Sequence, residues 1–265
     1  MFYQPDFRCD DRDPLQARLN RLYEYADDLE SKVLHRCRLN VFSLLLGKLE
    51  ARGLIARRET ALDIGCNAGG YSKIVSDAGY RLVEGLDVEP WMIDRAKAEF
   101  ASDDPEHAIR FRVENAEEMD ASRQFDFILC TEVIEHTQRP EMVIANIRAM
   151  VAPGGLAVIS LTYAFSLPYA KAALKYRFQK GRRDLVFEDH LRWPSYRSVR
   201  LFDGSDLRLV DSAGTNLWWD ATTLRLLARS PIFPALNRAQ FELARRWPLK
   251  FASQFFFMVY RRNLA

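Results

Sequence analysis

The stretch that decides the fold is Thr60 to Ser72, "TALDIGCNAGGYS". A short apolar run contains a carboxylate, Asp63, near its end, and three glycines and an asparagine follow it. A buried strand, a glycine-rich turn and a helix in this order are typical of an open α/β sheet, in which ligands lie outside the carboxyl ends of the strands. We therefore predict a strand over residues 60–64, a ligand-binding loop over 65–70 and a helix over 71–78.

Strand-length apolar runs alternate with helical patterns further along the chain, which indicates a doubly wound, mostly parallel sheet. The predicted strands are YRLVEGLDV (80–88), IRFRVE (109–114), FDFILC (125–130) and GLAVISLT (155–162), and the predicted helices cover 90–100 and 141–150. Beyond these, LFDGSDLRLVDSAG (201–214) is interpreted as a short helix with Ser205 as its N-cap and Gly214 as its stop. TNLWW (215–219) and FFFMVY (255–260) are predicted to be two late strands.

Composition narrows the class of protein. The chain has 265 residues, of which 48% are hydrophobic and 28% charged, and these values are ordinary for a globular protein. The net charge of +2 is too small to indicate nucleic-acid binding by itself. Four cysteines lack the spacing of a metal site or a disulfide framework. The N-terminal segment is not typical of a secretory signal, and no apolar run approaches the roughly 20 residues of a membrane span. We expect a cytoplasmic protein.

The glycine-rich loop differs from a dinucleotide-binding loop. The G-x-G-x-x-G pattern holds a pyrophosphate at a helix N-terminus, but here Asn67 replaces the middle glycine and Asp63 precedes the loop. A fixed negative charge is unfavourable for pyrophosphate and favourable for a cationic amine. Asp87 ends the second predicted strand, where a carboxylate typically accepts hydrogen bonds from ribose hydroxyls. Asn115 and the backbone of Ala116 could bond an adenine ring. Amine, ribose and adenine together indicate S-adenosylmethionine.

Five segments carry a family resemblance, and they occur in the family's order over residues 60–162. They are LDIGCNAGGYS, VEGLDVEPWMIDRAK, VENAEEM, FDFILCTEVIEHTQRP and VAPGGLAVISLT. Together they resemble the successive motifs of the class I S-adenosylmethionine-dependent methyltransferases. EVIEH and RLFDGSDLRLVDSAG are similar to the branch that contains the ubiquinone-pathway O-methyltransferases.

The resemblance implies a Rossmann-like, seven-stranded α/β sheet whose last strand runs antiparallel. It also implies a set of cofactor contacts. Asp63 and the loop Gly65, Cys66, Asn67 and Gly69 would face the amino acid end of the cofactor. Asp87 would hold the ribose, with Val88 and Met92 near the adenine, and Asn115 and Ala116 would follow the third strand. Asn115 departs from the aspartate that is common at its position.

The chain is divided, on this interpretation, into an N-terminal helical cap (residues 1–58) and a methyltransferase domain (59–265). Residues 165–200 interrupt the strand and helix pattern as an insertion that covers the substrate. This insertion has nine basic and three acidic residues, and residues 221–265 have eight and one. Its segment YAKAALKYRFQKGRR mixes aromatic, small apolar and cationic residues. That mixture is typical of an interfacial helix in peripheral contact with an anionic membrane, or of a solvated lid.

Catalysis in such a site requires an acceptor atom in line with the methyl group, and a hydroxyl acceptor also benefits from a general base. His136 and His190 are the candidate catalytic residues, since one follows the fourth strand and the other lies in the insertion. Glu132, Glu135 and His136 are spaced i, i+3, i+4 and would share one face of a helical turn. With His190 they could bind a divalent metal ion, as a similar arrangement does in the small-RNA 2′-O-methyltransferases. Alternatively, Glu132 contacts cofactor or substrate, Glu135 is solvated and His136 packs under the loop.

The leading functional hypothesis is O-methylation of a small molecule, with a lipid-like, polyketide-like or sugar hydroxyl as the acceptor. RNA 2′-O-methylation is the alternative enzyme activity, because the aromatics of the basic insertion would suit it. No separate RNA-binding module is visible, which favours the small molecule. A non-catalytic cofactor-binding scaffold is a third possibility, and the intact glycine-rich loop and second-strand acid argue against it.

Overall fold

The computed structural model of the chain describes residues 29–162, 166, 170, 202, 206–219 and 221–264. The predicted insertion over 165–200, including His190, lies almost entirely outside these residues, as does the chain before residue 29. The division into a cap and a domain at residue 58, and the covering role of the insertion, therefore stay predictions.

The described residues form one seven-stranded sheet with the order β3-β2-β1-β4-β5-β7-β6. The strands are β1 (Thr60–Ile64), β2 (Leu82–Asp87), β3 (Ala108–Val113), β4 (Phe125–Thr131), β5 (Val151–Thr162), β6 (Leu207–Thr215) and β7 (Phe255–Arg262). Strands β1 to β5 pair in parallel, and β7 runs antiparallel to both β5 and β6. The expected fold class is thus confirmed, including the antiparallel last strand.

Helices cover both faces of this sheet. They are α1 (Leu29–Ala51), α2 (Gly70–Asp77), α3 (Pro90–Phe100), α4 (Pro140–Met150), α5 (Ala221–Leu227) and α6 (Phe233–Ala244). Side chains of α1, α2 and α3 share one apolar cluster with one face of the sheet, and those of α4 share a second cluster with the other face. Short 3₁₀ turns occur at Ile134–His136 and Leu249–Ala252. Successive apolar residues of the central strands belong to opposite clusters, so these strands fill a core on each face of the sheet.

Helix α1 is part of the main core. Phe42, Leu46 and Leu49 are fully buried against the sheet. Val33 and Cys37, near the start of the helix, pack in a third cluster that Trp219 and Phe233 complete. Burying these large side chains contributes about 1.5–3 kcal/mol each to folding. The helix consequently lies where it can contribute residues to the ligand edge of the sheet. Among the described residues, no helix is both long and apolar enough to cross a membrane.

The helix predicted over residues 201–214 is wrong in its described part, because residues 207–215 form strand β6. The residues of β6 pair along β7 from Leu207 to Thr215. Gly214 is required by packing and does not stop a helix: a Cβ at this position would meet the carbonyl oxygens of Ala244 and Lys250 at 2.7 Å. The strand predicted over 215–219 is also wrong beyond Thr215, where β6 ends and the chain continues without strand structure.

Candidate functional site

A cavity of about 820 Å³ opens at the carboxyl ends of β1, β2 and β4. Its lining combines residues from the loops after these strands, from the segment after β3 and from helix α1. The predicted site residues in its wall are Gly65, Cys66, Asn67, Asp87, Val88, Asn115, Ala116, Glu132 and His136. The topology therefore brings together residues that are far apart in sequence, as expected at the point where strand order reverses.

The glycine-rich loop is held against the neighbouring strand by its backbone. The amides of Gly65 and Cys66 both donate to the carbonyl oxygen of Leu86, at 2.8 and 2.9 Å. Gly65, Asn67 and Gly69 have φ values of 69°, 49° and 83°, so the loop uses left-handed backbone at three positions. Gly69 is not in the cavity wall. A Cβ at this position would lie 2.8 Å from the ring of Phe111 and 3.1 Å from that of Phe100. Two glycines and an asparagine therefore stand where a left-handed conformation is needed.

Gly65 allows us to predict the cost of a side chain in this loop. A Cβ there would lie 2.2 Å from Cγ2 of Val133, whereas at Gly53, which has a similar φ of 65°, a Cβ would meet nothing within 4 Å. Gly53→Ala should lower the free energy of unfolding by about 1–2 kcal/mol, the cost of left-handed backbone. Gly65→Ala should cost clearly more, because Val133 must move as well. Urea denaturation of both variants measures the difference, and equal losses would contradict the close approach.

Asp87 organises the loop from the end of β2. Its Oδ2 accepts a hydrogen bond from the amide of Asn67 at 2.8 Å, and its Oδ1 accepts one from the amide of Glu89 at 3.0 Å. Asp87 also lines the cavity. Each carboxylate oxygen has a further lone pair. The side chain can therefore hold the loop and accept hydrogen bonds from a diol at the same time.

Asp63 is almost fully buried at the end of β1 and does not line the cavity. Its Oδ2 accepts a hydrogen bond from the hydroxyl of Ser72 at 2.6 Å. Its Oδ1 is buried and has no hydrogen-bond partner among the described residues. Burial raises the pKa of Asp63 to about 7, and the hydrogen bond from Ser72 acts in the opposite direction. An ammonium group brought by a ligand would supply the missing donor and favour the ionised form.

The segment after β3 forms another side of the cavity. Val88 is 55% exposed and, with Asn115 and Ala116, lines the wall. Oδ1 of Asn115 accepts a hydrogen bond from the amide of Glu117 at 3.0 Å, so the side chain shapes the turn that it belongs to. Met92 is buried in the apolar cluster beneath α3 and does not line the cavity. Of the two side chains expected near adenine, Val88 is the one in the wall.

The EVIEH segment has a different geometry from the helical turn expected for it. Glu132 has a left-handed backbone with φ of 54°, and its carboxylate accepts hydrogen bonds from the hydroxyls of Ser160, at 2.7 Å, and Thr162. Glu135 is 1% exposed, and its Oε1 accepts the amide of Thr162 at 3.2 Å. His136 is exposed and lines the cavity. The three side chains therefore lie in different surroundings.

These surroundings bear on the metal hypothesis. Within the described part of the chain, no group of three or more histidine, cysteine, aspartate or glutamate side chains could hold a metal ion. Glu135 is buried rather than solvated. Burial and, to a smaller extent, the nearby charge of Glu132 raise the pKa of this carboxyl above its usual range. Glu132 is engaged with two hydroxyls. The fourth proposed ligand, His190, lies outside the described residues, so a site that includes it stays a prediction.

Sequence reasoning missed the residues that helix α1 and the start of α2 bring to the cavity. They are His35, Arg38 and Tyr71. The guanidinium of Arg38 lies 3.9 Å from Oε2 of Glu132 and 4.6 Å from the ring centroid of Phe255. His35 and Arg38 are three residues apart, which places them on one face of the helix. That spacing was visible in the sequence, but nothing in it showed that this face meets the cavity.

Burial sets the protonation states of His35 and Tyr71. His35 is 3% exposed, and burial, reinforced by the charges of Arg38 and Arg36, lowers its pKa well below the usual value, which keeps the ring neutral. Burial raises the pKa of the Tyr71 phenol, which also stays neutral. The Tyr71 hydroxyl has no hydrogen-bond partner among the described residues. The α1 side of the cavity thus presents one cation, Arg38, and two neutral polar groups.

Comparison with known proteins agrees with this arrangement. A family model described as a methyltransferase domain matches residues 30–211. The ubiquinone biosynthesis O-methyltransferase of Coxiella burnetii is 30% identical over 154 residues, which are 54% of this chain and 64% of that protein. The protein of the same name from Bradyrhizobium diazoefficiens is 34% identical over 99 residues, 37% of this chain and 38% of that protein. The chain thus spans less than two thirds of the length of these relatives.

Solved structures give the same fold. The magnesium protoporphyrin IX methyltransferase of Synechocystis PCC 6803 with bound SAH superposes with a TM-score of 0.61, covering 93% of this chain and 94% of its own. The identity is 14%, so the likeness concerns the fold alone. The family model covers most of the chain, and its match includes α1 and the strands that form the cavity. The chain therefore belongs to the class I S-adenosylmethionine-dependent methyltransferases.

Proposed function

We propose that this protein transfers the methyl group of S-adenosylmethionine to a hydroxyl of a small molecule. The observation that carries the proposal is the cavity itself. One side is built by the glycine-rich loop and Asp87, which suit a nucleoside with a cationic amine. The other side is built by α1, Tyr71 and His136, which suit a polar acceptor. The names of the relatives support oxygen as the acceptor atom.

The residues of the site fit S-adenosylmethionine. The supporting observation is Asp63, because its buried Oδ1 has no hydrogen-bond donor among the described residues. Asp63 would bind the ammonium group and Asp87 the ribose hydroxyls, with Val88 and Asn115 beside the adenine. The guanidinium of Arg38 lies in the cavity wall beside Glu132, and it would attract the carboxylate of the cofactor. Bound there, S-adenosylmethionine supplies an activated methyl group on a sulfonium. The protein's task is to hold an acceptor oxygen in line with that methyl.

The acceptor side must also manage a proton, because a hydroxyl loses one when it is methylated. A base has to reach that proton directly or through one water molecule. His136 is exposed to the cavity and fits this role. The His35 and Tyr71 side chains in the wall are neutral, so this side of the cavity suits an uncharged acceptor. A phenol or alcohol of a lipid-like, polyketide-like or sugar molecule is therefore the acceptor class that we propose.

The raised pKa of Asp63 predicts how cofactor binding depends on pH. Without ligand, Asp63 holds a proton below about pH 7, and an ammonium ligand, whose own pKa is about 7.7–8.0, must displace it. Affinity for S-adenosylmethionine should therefore rise as the pH increases towards 7, by at most about tenfold per pH unit, with release of a proton. Calorimetry in two buffers of different ionisation enthalpy measures that release. Asp63→Asn should weaken binding and remove the pH dependence, whereas Asp94→Asn, on the exposed side of α3, should change neither.

The same shift has an opposite consequence for the stability of the ligand-free protein. Between the pKa of an unfolded aspartate, near 4, and about 7, the folded chain binds more protons at Asp63 than the unfolded chain does. The stabilisation from this group is therefore complete below the unfolded pKa and is lost as the pH rises through 7. Urea denaturation of the ligand-free protein between pH 5 and pH 8 measures this loss. The protonated state assigned to Asp63 would be wrong if the free energy of unfolding instead rose with pH and Asp63→Asn abolished that rise.

The proposed function is tested by methyl transfer from labelled S-adenosylmethionine. The acceptors should include a panel of catechols, polyketide phenols, sugars and isoprenoid phenols, together with small RNA and a cell extract. We expect label in a small hydroxylated product with the wild-type chain and none with Asp87→Ala. Label only in RNA would replace the small-molecule assignment with 2′-O-methylation. Tight cofactor binding without transfer to any acceptor, the extract included, would favour the scaffold.

A further inference from the structure

Large apolar side chains are exposed beyond both ends of helix α6. Leu226 and Ile232 precede the helix, and Trp247 and Leu249 follow it. Leu226 is 76% exposed and Trp247 is 77% exposed. Single exposed apolar residues are ordinary, but four around one short helix indicate a surface that meets something other than water. We call the exposed residues between 226 and 249 the α6 surface.

Helix α6 itself has a regular outward side. The exposed positions recur every three or four residues, as they do along one side of a helix. They are Ile232, Ala235, Arg238 and Ala239, and the same spacing continues to Arg246 just beyond the helix. The opposite side is buried, with Phe233 in the third apolar cluster and Phe241 in the main one. The outward side therefore consists of apolar or small residues and arginines.

The charge of the α6 surface is positive. Arg229, Arg238 and Arg246 are exposed on it. Residues 221–265 contain a single acid, Glu242. That side chain is partly buried, and its Oε2 lies 3.4 Å from Nη2 of Arg245. Because the one carboxylate of the segment is paired, the exposed arginines favour a partner that carries negative charge.

The mixture of apolar and basic side chains favours a lipid bilayer over the other anionic partners. Trp247 directly follows Arg246, and this pairing suits a membrane interface, where an indole lies at the headgroup level and a cation attracts anionic headgroups. A nucleic acid would bind the cations but would not use the exposed Leu226 and Ile232. A second copy of the chain would bring the same arginines together, and like charges oppose that association.

The α6 surface belongs to a segment that is attached at the ligand edge of the sheet. Phe255, the first residue of β7, pairs with Thr215 at the end of β6 and with Thr162 at the carboxyl end of β5. The segment that carries α6 connects Thr215 to Phe255. The ring of Phe255 also contacts Arg38, which lines the cavity. A bilayer at the α6 surface would therefore lie near the edge at which the cavity opens.

We propose that the α6 surface docks on an anionic lipid bilayer. Trp247 and Ile232 enter the headgroup region, and Arg229, Arg238 and Arg246 attract the anionic lipids. The contact is that of an interfacial helix, which lies in the plane of the membrane surface with its apolar residues in the headgroup layer. This surface is separate from the insertion predicted from the sequence, whose own membrane contact stays a prediction.

Co-sedimentation with phosphatidylcholine vesicles, with and without phosphatidylglycerol, tests the proposal. We expect binding that requires phosphatidylglycerol and weakens as salt is added. A basic residue near an anionic surface contributes about fivefold to binding, so Arg229→Glu/Arg246→Glu should weaken binding at least about 25-fold. Arg81→Glu/Arg110→Glu is the matched control. It changes the net charge equally, at exposed residues next to β2 and in β3, and should have a much smaller effect.

Tryptophan fluorescence tests the apolar part of the contact. Vesicles of phosphatidylglycerol with brominated chains should quench the wild type, and the quenching should fall clearly in Trp247→Phe, which keeps an apolar side chain. Trp247→Ser should weaken vesicle binding roughly tenfold, because it removes the apolar area that enters the headgroup layer. Without vesicles, both variants should unfold at the melting temperature of the wild type, since exposed side chains contribute little to stability.

Four results would overturn the proposal. The wild type could bind no vesicles, or the Arg229→Glu/Arg246→Glu and Trp247→Ser variants could bind as the wild type does. Arg182→Glu/Arg183→Glu could abolish binding alone, which would assign the contact to the insertion. Tighter binding of a small RNA than of vesicles would assign the α6 surface to nucleic acid. None of these measurements involves methyl transfer, so the proposed function can fail without affecting the result.

Discussion

Asp87→Ala is expected to weaken binding of S-adenosylmethionine at least 100-fold, from an affinity that we expect to be micromolar. The variant removes the acceptor of two ribose hydroxyls, and hydrogen bonds to a charged group are worth about 1.5–3 kcal/mol each. It also leaves the amides of Asn67 and Glu89 without their acceptor, which lies at 2.8 and 3.0 Å in the structure. The glycine-rich loop, which we propose faces the cofactor, should therefore lose its position as well as the hydrogen bonds to Asp87.

Calorimetry with S-adenosylmethionine and S-adenosylhomocysteine measures this loss. Asp87→Asn is the informative intermediate, because it retains one acceptor oxygen without the charge and should bind between the wild type and Asp87→Ala. Asp94→Ala removes an aspartate from the exposed side of α3 and serves as the matched control. Unchanged affinity in both Asp87→Ala and Asp63→Ala would disprove the placement of the cofactor in this cavity.

The double variant His136→Ala/His190→Ala is expected to lower turnover by about 10²–10⁴-fold, the usual contribution of a general base. Cofactor affinity should change little, because neither imidazole is assigned to the nucleoside. His136 lines the cavity, and His190 lies in the predicted insertion. Single-turnover rates with a labelled cofactor measure the effect. His107→Ala is the control, since His107 lies beside a separate surface depression.

The two single variants distinguish a base from a metal ligand. If a histidine acts as a simple base, its loss should be partly offset at high pH, where the acceptor ionises unaided. If His190 completes a metal site, then Glu132→Ala, Glu135→Ala and His136→Ala should fail together with His190→Ala. A chelator should then abolish activity that Mg²⁺, Mn²⁺ or Zn²⁺ restores. Full activity in the double variant would refute both mechanisms and leave positioning as the source of catalysis.

The part of the cavity wall that the glycine-rich loop and Asp87 form could be predicted from the sequence, because its determinants are local. Asp63 and Asp87 end consecutive parallel strands, and this alone places them at one edge of the sheet. Gly65, Asn67 and Gly69 have positive φ values. Glycine and asparagine adopt such values more readily than other residues, so their positions in the sequence indicate the conformation of the loop. Met92 shows the limit of this reasoning, because its helix was predicted correctly and yet its side chain faces the core.

The geometry of residues 132–136 could not be predicted in the same way. Glu132, Glu135 and His136 have helical spacing, but residues 134–136 form a 3₁₀ turn that follows a left-handed residue, and β5 takes up the two carboxylates through Ser160 and Thr162. Similarly, residues 201–214 were predicted to form a helix, but pairing with the long antiparallel strand β7 makes Leu207–Thr215 a strand. In both cases a partner distant in sequence outweighed the local pattern.

The sequence by itself determined the order of strands and helices, the glycine-rich loop and the two acids at consecutive strand ends, because each depends on the conformational preferences of neighbouring residues. Only the tertiary structure decided that α1 contributes His35 and Arg38 to the cavity and that burial keeps His35 and Tyr71 neutral. Burial and proximity between distant segments arise from packing against the whole sheet, and a one-dimensional pattern contains neither.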